Sequence, residues 1–218
     1  VVINPMPERA LMRFTEPQDA VQMATFGSTA IASEFVQVRI GGDIAVLKGI
    51  MLGVLELDDA ARAAGQASVL DHAFLDTHTT GFEAVVADVR GTDWADIELV
   101  SGIGRDQLRR VAGIYVASKA TIICYGMGIT QHEYGANAIQ QICNLLFLRG
   151  NIGRPGAGIA PVRGHSNVQG DRTVGIEEKP TQAYLDQFET VFGFKPPQEH
   201  GHDTVEAVEA MISGEAKF

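Results

Sequence analysis

The sequence predicts an α/β fold in which a parallel sheet is flanked by helices, and three observations predict it. Short apolar runs alternate with longer segments of helical period. The links between them in the first 150 residues are mostly short, as expected when helices cross back over a sheet. Glycine, proline or aspartate stands where each strand-like run ends, the edge where open α/β sheets bind ligands.

The elements follow in order. Residues 1–3 (Val-Val-Ile) read as a strand stopped by Asn4-Pro5. Residues 8–25 are mixed, and 26–32 read as loop. Residues 33–40 carry Phe35, Val36, Val38 and Ile40 and read as a second strand. Gly41-Gly42 then opens a helix over 43–57, with Ile44, Leu47, Ile50, Met51, Val54 and Leu55 at helical spacing. Residues 71–89 read as two short helices broken near Gly81. Residues 104–118 form an amphipathic helix closed by Lys119. The run 120–125 reads as a buried strand, followed at once by Gly126-Met127-Gly128 and by a helix over 136–149. Residues 151–176 read as a long loop, and 180–192 and 204–212 as helices. The whole is Rossmann-like, with a first domain over 1–176 and a helical continuation over 177–218.

Composition limits the function. The 218 residues carry a formal net charge of −10, which argues against a general binder of nucleic acid or of membrane surfaces. No stretch of about 18 apolar residues predicts a membrane span. No export signal is evident, so a cytoplasmic location is expected. Cys124 and Cys143 lie in apolar runs and are expected to be reduced and buried. Neither has a C-x-x-C partner, so no metal ligand is assigned within the chain. His72, His78, His200 and His202 fall in polar segments. Trp94, Tyr115 and the phenylalanines read as core.

Three strand ends and one loop are the candidates for chemistry. Gly126, Met127, Gly128 and Gln131 follow the third strand, where glycines let a ligand approach the backbone. The third glycine of a G-x-G-x-x-G fingerprint is missing, since Gln131 stands there. Asp43 after Gly42 suits either the N-cap or first turn of the helix, or an acceptor for a ribose hydroxyl or guanine N–H. Asn4 and Pro5 end the first strand. In the loop, Arg163 beside Gly164, with His165, Asn167 and Gln169, suits a small anion, because a guanidinium holds a carboxylate or phosphate bidentately. A structural ion pair is the other reading of Arg163, and His165 suits either proton transfer or plain hydrogen bonding.

The stretches 125–132 (Tyr-Gly-Met-Gly-Ile-Thr-Gln-His), 149–158 (Arg-Gly-Asn-Ile-Gly-Arg-Pro-Gly-Ala-Gly) and 161–170 (Pro-Val-Arg-Gly-His-Ser-Asn-Val-Gln-Gly) resemble the molybdopterin oxidoreductase family. The closest likeness is to formate dehydrogenase alpha subunits. The resemblance spans about residues 1–176 and is most specific over 120–176.

It implies the dinucleotide-binding part of a larger catalytic chain that holds two molybdopterin guanine dinucleotides around Mo or W. Asn4, Pro5, Gly42 and Asp43 would then lie near the guanosine. Gly126, Met127, Gly128 and Gln131 would line the pterin and pyrophosphate. Gly164, Asn167 and Gln169 would shape the metal-end loop. Arg163 would orient a small anionic substrate such as formate, with His165 assisting proton handling. The family's iron–sulfur cluster and its cysteine or selenocysteine metal ligand would precede Val1, and electron-transfer subunits would be partners. The familiar loop has Gln-Asn after Arg-Gly, whereas His165-Ser166 stand here, so strict formate specificity is not implied. A non-redox structural or nucleotide-binding module on the same fold is the alternative.

Overall fold

The computed structural model of the chain describes all residues except Arg163, Ser166, Glu178 and Phe218. It is helix-rich, with small paired strands, and forms two compact units, Val1–Arg163 and Gly164–Phe218.

In the first unit, β1 (Val2–Ile3) pairs parallel with β4 (Phe35–Val36), and β5 (Ile122–Tyr125) pairs parallel with β6 (Gly158–Pro161). An antiparallel ribbon of β2 (Arg13–Phe14) and β3 (Thr29–Ala30) joins the short helices α1 (Arg9–Met12) and α2 (Ala20–Thr25). The parallel architecture is thus present, but as separate two-stranded ladders rather than one continuous sheet.

The core is organised around α3 (Asp43–Ala63), whose Val46, Leu47, Ile50, Met51, Val54 and Leu55 are buried. It continues past the expected end near Leu57, because Asp58 points inward and is held there. Asp58 accepts from Ser68 Oγ at 2.5 Å, from the Val69 amide at 2.9 Å and from Arg62. Burial would raise the Asp58 pKa, but these hydrogen bonds outweigh it and hold the carboxyl below its usual value.

Around α3 pack α6 (Trp94–Ser101), α7 (Arg105–Ala117) and α8 (Gly135–Phe147). Gly49 and Gly53 allow the close approach. A Cβ on Gly49 would stand 2.6 Å from Leu108 Cδ1, and one on Gly53 2.8 Å from the Ala112 Cβ. The helices α4 (His72–His78) and α5 (Phe82–Arg90) break at Gly81, which adopts φ 78°, as the sequence predicts. Trp94 donates its Nε1–H to Glu56 at 2.9 Å, and the Arg109 guanidinium lies 5.1 Å from the Trp94 ring centre. The Arg109 hydrogen bond holds the Glu56 carboxyl below its usual value.

Several expectations change. The run at β5 is not buried on both faces: Ile122 is 55% exposed and Cys124 is exposed, while Ile123 packs on the core. Among the described residues β5 pairs only with β6, and its side chains alternate between exposed and half-buried, so one face is left uncovered. Both cysteines are free, but Cys124 is therefore not a buried thiol and Cys143 is half-buried. Residues 151–176 are not a continuous loop, since β6 and α9 (Val168–Thr173) lie within them. The strand β6 obtains its backbone partners from β5, a pairing remote in sequence. Not every phenylalanine is core: Phe26 is 85% exposed, and Phe14, Phe192 and Phe194 are also exposed.

The second unit holds α9, α10 (Gln182–Phe192) and α11 (Thr204–Ser213). Phe188 stacks with Tyr184, Phe192 and Phe194. Asp203 and Glu206 form a capping box at the start of α11. The compact units divide near 163, where the sequence places its division after 176. Among the described residues, no helix is long and apolar enough to cross a membrane.

Candidate functional site

The carboxyl ends of β1 and β4 open onto a cavity of about 670 Å³. Pro5, Phe35, Gln37, Arg39, Gly102 and Gln107 are among its lining residues. Asn4 shapes the turn out of β1 by donating its side-chain amide to the Met6 carbonyl at 2.6 Å. Gln37 ties the two strand ends together with a bond to the Pro5 carbonyl at 3.1 Å.

The turn from β4 into α3 is built on Gly41, at φ 82°, and on buried Gly42. A Cβ on Gly42 would meet Ser101 Cα at 2.9 Å and the Arg39 and Val100 carbonyl oxygens at 3.0 Å. Backbone cannot yield as a flexible side chain can, so Gly42 has a packing reason of its own. Gly42→Ala is expected to destabilise the fold by about 1–3 kcal/mol. An unchanged unfolding temperature would remove that reason.

Asp43 is the first residue of α3, and Gly42, not Asp43, occupies the N-cap position. The Asp43 side chain is 22% exposed, and the described residues give its carboxylate no hydrogen bond. The basic side chain nearest to it is His132, with Nε2 at 3.9 Å. This contact brings the loop after β5 to the turn after β4, although the two ladders share no hydrogen bonds.

That loop passes through a 3-10 turn, Gly128–Thr130, before α8 begins. A Cβ on Gly126 or Gly128 would meet nothing within 4 Å, and neither glycine has positive φ. The protein itself therefore does not require these glycines, and the space above them is open. Met127 is 43% exposed and Gln131 is exposed. On the other side of β5, the Val162 amide donates to the Tyr125 carbonyl at 2.7 Å. The chain thus leaves β6 beside the start of the glycine loop.

Of the residues singled out from the sequence, Pro5 lines the cavity with Asn4 beside it, and Asp43 meets the loop 126–132 through His132. Arg163 lies outside the described residues. Gly164, His165, Asn167 and Gln169 are exposed and belong to the second compact unit. Gln37, Arg39 and Gln107 escaped the sequence reading. Gln37 and Arg39 fall within the strand expected over 33–40, but the observed strand ends at Val36. Arg39 has the same signal as Arg163, a guanidinium next to a glycine-bearing turn. Its Nη1 donates to the neutral Leu99 carbonyl at 2.6 Å, and among the described residues Arg39 makes no salt bridge. Among the described residues, no group of His, Cys, Asp and Glu side chains converges to hold a metal ion.

The family model for molybdopterin oxidoreductase matches residues 4–215. The chain belongs to the molybdopterin oxidoreductase family. An Escherichia coli (strain K12) relative named "Protein YdeP" is 52% identical over 217 residues, covering 100% of this chain and 29% of its own length. A Mycobacterium tuberculosis (strain H37Rv) relative, an "Uncharacterized oxidoreductase", is 44% identical over 98% of this chain and 27% of its own. A Staphylococcus aureus (strain USA300) relative named "Putative formate dehydrogenase" is 30% identical over 84% of this chain and 18% of its own. The chain therefore spans under a third of the length of these relatives. The solved acetylene hydratase of Pelobacter acetylenicus aligns with 58% of this chain and 16% of its own, at 18% identity and a TM-score of 0.49.

Proposed function

We propose that the chain is the cofactor-binding portion of an oxidoreductase catalytic subunit that uses molybdopterin guanine dinucleotide with Mo or W. In this reading its Rossmann-like edge takes one of two such dinucleotides. The observation that carries the reading is Asp43, a carboxylate in the first turn of α3 without a hydrogen-bond donor from the described residues. A carboxylate in the first turn of a helix repels a phosphate but suits a neutral group rich in N–H or O–H donors. A guanine edge or a ribose hydroxyl is such a group. The open space over Gly126 and Gly128 suits the bulkier pterin and pyrophosphate. Asn4 and Pro5 border the guanosine end, and Met127 and Gln131 the pterin end.

The substrate reading is formate or a similar small anion, with Arg163 as the group that holds it and His165 as the proton acceptor. Chain connectivity supports the first role: Arg163 directly follows Val162, whose amide is bonded to β5 beside the glycine loop. Gly164, Asn167 and Gln169 give the substrate loop its turns and polar contacts. Formate loses a proton and two electrons to become carbon dioxide. When bound, the metal of such a cofactor accepts those electrons. A guanidinium fixed on the carboxylate holds the C–H in one direction, and fixed orientation is a large part of a lowered barrier. The iron–sulfur cluster and electron-transfer subunits belong to the reading of the whole protein. The 30% identity to the S. aureus relative supports formate as the substrate to test first.

The experiment is Asp43→Ala in the full-length protein. A lost charge-assisted hydrogen bond weakens binding by about 10- to 100-fold. Guanine dinucleotide content after prolonged dialysis should fall well below that of the unaltered protein, at equal folded yield. Equal retention in both proteins would overturn the placement of the guanosine at Asp43.

A further inference from the structure

A second cavity, of about 310 Å³, lies at the opposite edge of the β5–β6 ladder, beside the amino ends of its strands. Lys119, Arg149 and Arg154 converge on it, with Asp71, His72 and the backbone around Val69 and Leu70 completing the wall. Lys119 precedes β5, Arg154 precedes β6, and Arg149 follows the end of α8. A chain of net charge −10 thus gathers three side-chain cations in one hollow against one carboxylate. None of the three is in a salt bridge among the described residues.

The arginines are held in place by neutral acceptors. Arg149 donates Nη1 to the Val69 carbonyl at 2.5 Å and Nη2 to the Ser118 carbonyl at 3.3 Å. Arg154 donates Nη2 to Asn151 Oδ1 at 2.7 Å and to the Lys119 carbonyl at 3.1 Å. Asn151 is itself fixed, 1% exposed, bonded to the Tyr115 hydroxyl at 3.0 Å and to the Thr121 amide at 3.2 Å. These bonds orient the guanidinium groups and cancel none of their charge. Asp71 caps α4 by accepting from the Phe74 amide at 3.0 Å. One atom remains unsatisfied: Arg149 Nε is buried and has no hydrogen-bond partner. Buried polar groups without partners are rare, and this one belongs to a side chain that lines the cavity.

We infer that this cavity is an anion site, distinct from the strand-end site, that takes a phosphoryl oxyanion between Lys119, Arg149 and Arg154. Several acceptor oxygens on one compact group suit a cluster of pre-oriented N–H donors and a mobile ammonium. The volume admits more than a bare phosphate, so free phosphate and the head of a phosphomonoester share the same chemistry here.

The test is isothermal titration of the full-length, cofactor-loaded protein with inorganic phosphate, at constant ionic strength set by chloride. One saturable site per chain is expected. Lys119→Gln should weaken it at least tenfold without lowering the unfolding temperature, because the Lys119 side chain makes no hydrogen bond or ion pair among the described residues. A titration with glycerol phosphate separates the sources: tighter binding than inorganic phosphate assigns a phosphomonoester, and equal or weaker binding assigns the free ion. No heat beyond that of chloride, or unaltered affinity in both Lys119→Gln and Arg154→Gln, would overturn the site.

Discussion

Arg163→Ala in the full-length protein is expected to lower kcat/KM for formate by about 10²- to 10³-fold, the loss typical when one pre-oriented donor to a reacting anion is removed. The expectation rests on what guanidinium chemistry can do and on the place of Arg163 in the chain. It is the next residue after Val162, which is bonded to β5 where the glycine loop begins. Arg163→Lys should recover only part of the loss, since an ammonium keeps the charge but not the two parallel N–H donors. Cofactor content should stay the same in both variants, because Asp43 and the 126–131 loop, not Arg163, are assigned to the dinucleotide. A variant that keeps its kcat/KM for formate would dismiss Arg163 from substrate binding. A full-length protein free of Mo and W would favour the non-redox reading of the fold.

The second large effect is on stability. Asp58 is fully buried on α3 and is the shared acceptor for Ser68, Val69 and Arg62. Asp58→Ala leaves the Val69 amide and the Ser68 hydroxyl without their acceptor and Arg62 without its counter-ion. Breaking a buried ion pair costs about 3–5 kcal/mol, and the half-exposed Arg62 places this case at the low end, about 3 kcal/mol. Amide exchange in peptides covering 58–70 should accelerate strongly, and unaltered protection there would refute the role of Asp58 as the anchor of this turn.

The same network sets a pH dependence. The folded carboxyls of Asp58 and Glu56 both sit below their ordinary values. For Asp58, burial acts upward and its hydrogen bonds prevail. For Glu56, the Arg109 hydrogen bond is the largest influence. Groups lowered in this way stabilise the fold fully above the unfolded carboxylate range, and that stability is lost as pH falls through the lowered folded values. Asp58→Ala should therefore flatten the acid limb of the stability profile below about pH 4.

The sequence by itself determined the local elements and the chemistry available to them. The helical period of α3, the break at Gly81 and the amphipathic α7 are set by neighbours within a few residues, so they are legible in the chain. Resemblance in the stretches 125–132, 149–158 and 161–170 likewise pointed to the molybdopterin oxidoreductase family, which the match over residues 4–215 shows. Tertiary structure decided everything that depends on remote partners. The strand β6 exists because β5 lies beside it, and Cys124 is exposed because one face of β5 is uncovered. Gly42 faces the backbone of α6, and Asp43 stands 3.9 Å from His132, a residue 89 positions away in the numbering. Lys119 stands 30 positions before the stretch that holds Arg149 and Arg154, and only the folded ladder brings the three charges to one cavity. Periodicity and turn chemistry act over a few residues, whereas ladders, close packing and charge clusters arise only when distant segments meet.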